Sequence, residues 1–541
     1  MVLEGLKPHP NLKWLEINRF MGLNLPTWLM SNVSLSVPNL IEIRLVNCDR
    51  CQKLPALGQL PFLRILYIEQ MNAVKRLSYE FYGLETGTTT TTTDTSKKAI
   101  TAFPSLKKLT LKRMLNLKEW VEPPALLFSY SFPCLEELII KSCPRLTTLP
   151  ILFPSLIKDD EMLNSNDMAV RSMMRSNNLT SLNYLEIRIG LTYLPQELLQ
   201  NNDHLQSLVI WDCPLFQGFL SSMEEDEEVL QEQVSNPHLK NSSKSISLEP
   251  TEISDYPLQT IVPEVQGLTS LRSLTIGYCK ELKSIPEDLL CLTSLKEMEI
   301  GYLSDELNSF LFPNENEDEN KSSNIQDRFI SLQSLKINGL SKLKSLPEQL
   351  KQFTKLKELE ISNMENIVAL PDWLGDLSEL RSLQINNCHS LMYLPYVDGM
   401  QRLTALEKLT LCGISKELDL FPAEGIQHLI SLRQLEIHGW SKLNYLPHQL
   451  QYLKNLEVLS IRNFHGLVAL PEWLGNFSSL QQLEIWYCKN LMHLPSKEVM
   501  QCLTALRCLF INSCPLLKKQ CSTKSGSEWY KISHVKFIEI W

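Results

Sequence analysis

The 541-residue sequence has no uninterrupted apolar run of about 18 residues, the length a helix needs to cross the hydrocarbon of a bilayer. Its opening segment, MVLEGLKPHPNLKWLEI, interrupts its apolar residues with charge and proline before a signal-peptide core can build up. Basic charge is also in short supply. The 52 Lys and Arg against 61 Asp and Glu leave a formal net charge of −9, whereas a nucleic-acid binder concentrates a basic excess on one face. A membrane span and a DNA or RNA ligand are thereby set aside. The ten histidines form neither His-Glu-x-x-His nor a zinc-spaced cluster with cysteine. There is no Gly-x-Ser-x-Gly elbow and no Gly-x-x-x-x-Gly-Lys-Ser/Thr phosphate loop. No catalytic, cofactor-binding or metal-ligating residue emerges, and the chain reads as a non-enzyme. The sequons at Asn32, Asn178 and Asn476 stand without an export signal, so the expected setting is the cytoplasm or nucleus.

What the chain does have is fourteen cysteines, seven of them at one phase. Cys48, Cys143, Cys213, Cys279, Cys388, Cys488 and Cys514 each follow by three residues an Ile or Leu that ends a strand-like run. A cysteine repeated at such a position acts as a small buried hydrophobe. Cys48 and Cys51 form a CxxC with no second pair at metal-site spacing.

The same phase exposes an internal repeat. Leu-x-x-Leu-x-Ile/Leu recurs from Leu12-Leu15-Ile17 onward, and its first leucine becomes regular at Leu332, Leu356, Leu380, Leu406, Leu432, Leu456, Leu480 and Leu506. Steps of 24 or 26 residues fall within the 20–29 of leucine-rich repeats. A longer period is superimposed: Leu343, Pro347, Pro371, Trp373 and Cys388 reappear 100 residues on as Leu443, Pro447, Pro471, Trp473 and Cys488, the mark of tandem duplication. Trp373 and Trp473 fall in the outer return segment and read as structural.

The expected fold is an α/β repeat solenoid: a leucine-rich-repeat horseshoe with a concave parallel β-sheet and a mostly irregular or short-helical convex side. Each repeat leaves its apolar face open unless a neighbour stacks on it. The organisation reads as N-terminal repeats over 1–215 with a Thr-rich loop at 85–101, an acidic polar insertion at 216–263 and repeats over 264–302. An acidic Asn/Glu-rich loop at 303–328 follows, then regular repeats with a closing repeat over 329–541.

Side chains flanking the second apolar residue of each strand point away from the core, because strand side chains alternate between faces. On this rule the concave face carries Lys336 and Asn338, Glu360 and Ser362, Gln384 and Asn386, Glu436 and His438, Ser460 and Arg462, Glu484 and Trp486, and Phe510 and Asn512. Trp211 joins them from an earlier repeat. Tryptophan on an exposed strand is the residue type that anchors protein interfaces, so a protein partner is expected.

The composite pattern Leu-x-x-Leu-x-Ile-x-x-Cys-x-x-Leu-x-x-Leu-Pro resembles the repeat region of plant intracellular immune receptors of the coiled-coil, nucleotide-binding, leucine-rich-repeat type. Val2-Leu-Glu-Gly-Leu-Lys-Pro-His-Pro-Asn-Leu12, Val74-Lys-Arg-Leu-x-x-Glu-Phe-Tyr-Gly83 and Gly526-Ser-Glu-Trp-Tyr-Lys-Ile-Ser-His534 are similar to segments of that subgroup. The resemblance implies recognition of a pathogen effector or a guarded host protein, and restraint of a nucleotide-binding switch. It also implies that any ADP or ATP site lies in an upstream domain absent from this chain, because Met1 falls directly within repeats. The alternatives are a stand-alone scaffold or adaptor and a truncated, non-functional receptor fragment.

Overall fold

The structure is a computed structural model that describes residues 2–30, 33–83, 100–121, 128–147, 149, 181–195, 204–220, 270–282, 292–303, 331–340, 342–414, 425–439, 443–522 and 526–541. The threonine run at 88–93, the acidic runs at 224–228 and 314–320, and residues 158–160 lie outside them. The chain forms two compact units: residues 1–206, 216–270 and 286–289 in the first, and residues 207–215, 271–285 and 290–541 in the second.

The repeat motif becomes a five-residue strand wherever it is regular. In Leu380-x-x-Leu383-x-Ile385 the strand is Ser382–Asn386, and its burial alternates so that Leu383 and Ile385 are in the core. In the first unit six strands of five to seven residues lie parallel in chain order: β1 (Trp14–Asn18), β2 (Glu42–Val46), β3 (Ile65–Glu69), β4 (Lys108–Lys112), β5 (Glu137–Cys143) and β6 (Tyr184–Ile189).

The second unit continues the pattern with β7 (Ser207–Trp211), β8 (Ser273–Gly277), β9 (Glu297–Gly301), β10 (Ser334–Asn338), β11 (Glu358–Ser362) and β12 (Ser382–Asn386). After these come β13 (Lys408–Cys412), β14 (Gln434–His438), β15 (Val458–Arg462), β16 (Gln482–Trp486), β17 (Cys508–Asn512) and β18 (Phe537–Ile540). Parallel neighbours need a crossover of a dozen or more residues, which a period of 24–26 supplies. Leu335 pairs with Leu359, and Leu359 with Leu383, so the apolar rows stack without slippage.

The return segments hold single turns rather than long helices. Pro347, Pro371, Pro447 and Pro471 each stand immediately before a 3₁₀ turn: Glu348–Gln352, Asp372–Asp376, His448–Tyr452 and Glu472–Asn476. Proline suits that place because its fixed φ starts a helical turn and its missing N–H is not needed there. Val397–Arg402 and Lys497–Cys502, 100 residues apart, are short α-helices.

The cysteines at the repeat phase are all buried with free thiols, as is Cys51. Burial pushes the Cys51 thiol up to about 12 and the Cys143 thiol to about 11, so both remain neutral core residues.

The first unit carries an aromatic plug absent from the repeat motif. Phe81 and Tyr82 from the segment Val74–Gly83 pack with Phe103, Trp120 and Phe132, all buried. Phe103 stacks on Phe132 at 4.8 Å, Phe81 lies 4.9 Å from Phe103, and Trp120 Nε1 donates to Tyr82 Oη at 2.8 Å. Gly83 closes the helix Tyr79–Tyr82 with φ +96°, a conformation that favours glycine.

Two sequence boundaries shift. Ile100–Ala102 is a strand paired with Phe128–Ser131, so the last two residues of the expected loop at 85–101 belong to a sheet. Phe216 is fully buried and Gly218–Leu220 pairs with Tyr193–Pro195, so repeat packing runs past residue 215 into the stretch read as an insertion. The physical reason is that Phe216 fills the inner-layer position three residues after Cys213.

One feature recurs at almost every strand end. The residue after the strand has a left-handed backbone, as at Asn363 (φ 55°), Asn387 (φ 54°), Asn463 (φ 58°), Gly339 (φ 62°) and Gly413 (φ 61°). Its N–H donates to a carbonyl at the end of the next strand, for example from Asn363 to Asn386 at 2.8 Å and from Asn387 to Cys412 at 2.7 Å. Asparagine and glycine tolerate this conformation best, and here it turns the chain off the sheet while keeping the ladder bonded.

Candidate protein-binding face

Parallel register sorts the residues of the sheet's outer face into columns. Lys336, Glu360, Gln384, Thr410, Glu436, Ser460, Glu484 and Phe510 are successive partners in one column. Asn338, Ser362, Asn386, Cys412, His438, Arg462, Trp486 and Asn512 form the next. Every residue singled out between Lys336 and Asn512 therefore falls in one of two adjacent rows. Trp211 heads the second row further back, opposite Gly277.

Their exposure is less uniform than strand phase suggests. Ser362 and Ser460 are only 5% and 3% exposed. Both are short, and longer neighbours close over them. Ser362 Oγ donates to Glu360 Oε1 at 3.1 Å and accepts from Asn386 Nδ2 at 3.4 Å. Ser460 Oγ donates to Glu484 Oε2 at 2.9 Å and accepts from Arg462 Nε at 2.9 Å. These two serines are supports beneath the face rather than open contact points.

Arg462 organises one end of the rows. Its Nε lies 3.0 Å from Glu436 Oε1, its Nη2 lies 3.1 Å from Glu484 Oε2, and its guanidinium sits 5.1 Å from the centre of the Trp486 ring. Trp486 Nε1 in turn donates to Glu484 at 3.2 Å, and the indole lies 6.3 Å from that of Trp541. Cation–π contact and paired carboxylates fix the indole in place, leaving it half-buried and pre-positioned.

Trp211 is also held. A side chain at Gly277 would collide with its ring, so glycine on the neighbouring strand makes room for the indole. Trp211 then meets Tyr278 at 5.2 Å, and Tyr278 stacks on Tyr302 at 4.2 Å. Both tyrosines occupy the left-handed exit position, with φ 54° and 50°, where a bulky residue is a conformational outlier. Strand phase does not reach this aromatic row, because it lies one residue beyond the alternating segment.

Thr410 and Cys412 are the other residues that the sequence reading passed over, although the phase rule applied to Leu406-x-x-Leu409-x-Leu411 places them on the face. Cys412 Sγ lies 2.8 Å from His438 Nδ1, and His438 Nε2 lies 2.7 Å from Asn463 Nδ2. Burial, and then the charge of Arg462, hold the His438 imidazole below its usual range, while burial pushes the Cys412 thiol up. Thr410 is buried, and its hydroxyl has no hydrogen-bond partner among the described residues. No group of three His, Cys, Asp or Glu residues suited to a metal occurs among the described residues, and no described helix is long and apolar enough to cross a membrane.

Two families match the sequence. Leucine-rich repeats of the R13L1/DRL21 type match residues 1–71 and 441–514, and the leucine-rich repeats of RPS2-like plant disease resistance proteins match residues 247–370. The chain carries leucine-rich repeats of the plant disease resistance type. The RPS2-like match begins inside the stretch 216–263 and runs through 303–328, the two segments read from sequence as polar loops.

This repeat region is 32% identical over 209 residues to RGA1 of Solanum bulbocastanum, and 28% identical over 283 residues to RPP13-like protein 1 of Arabidopsis thaliana. Both relatives are named for disease resistance. The matched stretches span 19% and 24% of those relatives and 39% and 52% of this chain. Among solved structures, a leucine-rich-repeat protein of Leptospira interrogans is 18% identical with a TM-score of 0.44, over 93% of this chain and 90% of that one.

Proposed function

We propose that these repeats are the protein-recognition module of a plant intracellular immune receptor, binding a pathogen effector or a guarded host protein and restraining a nucleotide-binding switch. The observation that carries this reading is the pair of side-chain columns between Lys336 and Asn512, which present acids, amides, the bases Lys336 and Arg462 and an aromatic anchor from strands whose backbone groups are already bonded to one another. A face of this kind has chemistry to offer a folded partner. The likeness to disease resistance proteins supplies the context. In this reading ADP or ATP belongs to the switch domain, and the receptor works in the cytoplasm or nucleus.

Two measurements test it. Co-expression with the nucleotide-binding domain of a related receptor should yield a co-purifying complex, and failure to associate removes the restraint role. For recognition, Trp486→Ala should weaken capture of the bound protein about tenfold or more, as loss of an interface anchor does. Unchanged capture would move the contact off this face.

A further inference from the structure

The outward residues of β14 to β18 repeat one arrangement. In register, one column reads Glu436, Ser460, Glu484, Phe510, Glu539, so a carboxylate stands on every second strand. Arg462, from the neighbouring column, fills the gap between the first two. Its Nε lies 3.0 Å from Glu436, its Nη2 lies 3.1 Å from Glu484, and its guanidinium sits 5.1 Å from the centre of the Trp486 ring. A translation by two strands carries Glu436 and Glu484 onto Glu484 and Glu539, and Arg462 onto Asn512. It carries Trp486 onto Trp541, whose N–H donates to the Ile511 carbonyl at 3.0 Å and so continues the ladder beside Asn512. The second gap has the acids and the indole of the first, but an amide where the first has its cation.

The surroundings of this second gap are aromatic. Trp541 lies 6.3 Å from Trp486, and Phe537 lies 5.9 Å from Phe510. Trp541 and Phe537 are 51% and 46% exposed, so ring surface is left in water. Glu539, the register partner of Phe510, is partly exposed and has no hydrogen-bond or ion-pair partner among the described residues. Ring faces attract positive charge through their quadrupole, and an unpaired carboxylate attracts it directly. Both features of the gap call for the same kind of guest.

We propose that this second gap is the seat of an arginine side chain from a protein partner, stacked against Trp541 and paired with Glu539, as Arg462 is held against Trp486 and paired with Glu436 and Glu484. The inference rests on the reading of the two columns as a protein-recognition face, and it names the side chain they take at the end nearest β18. Arginine suits the place better than lysine. Its planar guanidinium stacks on an indole, forks onto a carboxylate and is more weakly hydrated than an ammonium.

Charge complementarity agrees. The outward strand residues from Glu436 to Glu539 include three carboxylates, Glu436, Glu484 and Glu539, and one guanidinium, Arg462. Glu484 is already committed, accepting from Ser460, Arg462, Gln482 and Trp486. Glu539 is therefore the carboxylate that supplies the new ion pair. Phe510 stands where the first gap has Ser460, and an apolar floor suits the aliphatic stem of an arginine.

The probe is a blocked tripeptide, acetyl-Gly-Arg-Gly-amide, with citrulline in place of arginine as the uncharged control. The full chain, labelled with nitrogen-15 at its indoles, is titrated with each peptide, and the Trp486 and Trp541 signals are assigned from Trp486→Phe and Trp541→Phe variants. The arginine peptide should shift both signals saturably and the citrulline peptide should not. Glu539→Gln should weaken the arginine peptide about threefold to fivefold, the worth of a partly exposed ion pair. Asn512→Arg sets the chain's own guanidinium in the gap, as Arg462 is set in the first, and should abolish the response while moving the Trp541 signal by itself. Indole signals elsewhere in the chain, unmoved in these variants, report an intact fold. Equal shifts from the two peptides, an affinity indifferent to Glu539→Gln, or undiminished binding to Asn512→Arg overturns the proposal. Capture of a whole partner that falls with Trp486→Ala but not with Glu539→Gln would keep the recognition face and discard the arginine seat.

Discussion

Glu528 and Lys531 form a buried ion pair, Oε2 to Nζ 2.8 Å, at the closing end of the second unit. Glu528 also accepts from Leu494 N–H at 2.9 Å, and Lys531 donates to Leu494 carbonyl at 3.0 Å. The pair thus ties the segment before β18 to the outer layer of the preceding repeat, using residues from the stretch Gly526–His534 that resembles the ending of plant immune receptors. Removing one partner strands the other charge. Glu528→Ala should cost about 3–5 kcal/mol, read as a lower urea midpoint and as faster amide exchange in Phe537–Ile540. An unchanged midpoint would show the pair to be idle.

The left-handed exits give a second test. Asn387 has φ 54°, and its side chain adds a 3.1 Å bond to Asn363 Oδ1. Asn387→Ala forces a Cβ-bearing residue without a compensating amide into that conformation and should cost about 1–2 kcal/mol. Asn387→Gly loses only the exposed side-chain bond and should cost less than the alanine variant. Thermal unfolding of the two variants side by side decides it, and alanine faring as well as glycine would contradict the account.

Arg462 separates two carboxylates on the sheet face. With Arg462→Ala, Glu436 and Glu484 confront each other uncompensated, and the Trp486 ring loses its cation. The groups are partly exposed, so the loss should be about 1 kcal/mol in dilute buffer and should shrink at about 1 M salt, where screening acts within roughly 3 Å. Melting temperatures of variant and parent at both salt levels test this; an equal gap would assign the effect to packing alone.

Acid should weaken the first unit through Glu186. Burial works against its charge, but Lys141 at 2.7 Å, Tyr184 at 2.8 Å and Arg188 at 2.8 Å outweigh that and hold its carboxyl below the ordinary 4.5. A depressed carboxyl stabilises the fold at pH above its unfolded value, and that contribution disappears as pH falls through the folded value. Unfolding followed from pH 6 down to pH 3 should show a decline that Glu186→Gln flattens. Parallel declines in both proteins would place the acid sensitivity elsewhere.

The strands and their phase were legible because each repeat obeys a simple rule: an apolar residue on every second position, returned at a fixed interval. That rule assigns Lys336, Glu360, Trp486 and their fellows to the outward side of their strands, and the register sorts them into two rows. It failed where exposure depends on the neighbours' length, as at Ser362 and Ser460, which longer acids and amides cover. It was silent on Tyr278 and Tyr302, since an aromatic in a left-handed exit is chosen by side-chain stacking rather than by backbone preference. Cys412 and His438 illustrate a third limit. Their spacing of 26 residues carries no motif, and only the register of β13 against β14 makes them partners.

The separation of labour within each strand has an evolutionary corollary. Backbone bonds hold β10 to β17 in register, and apolar side chains fill the interior. The exposed residues of the two outer columns can therefore be exchanged at little cost to the coil, and a duplicated block of 100 residues adds fresh positions already in phase. Such a scaffold can change its partner by point substitution and enlarge its reach by copying, while the folding problem stays solved.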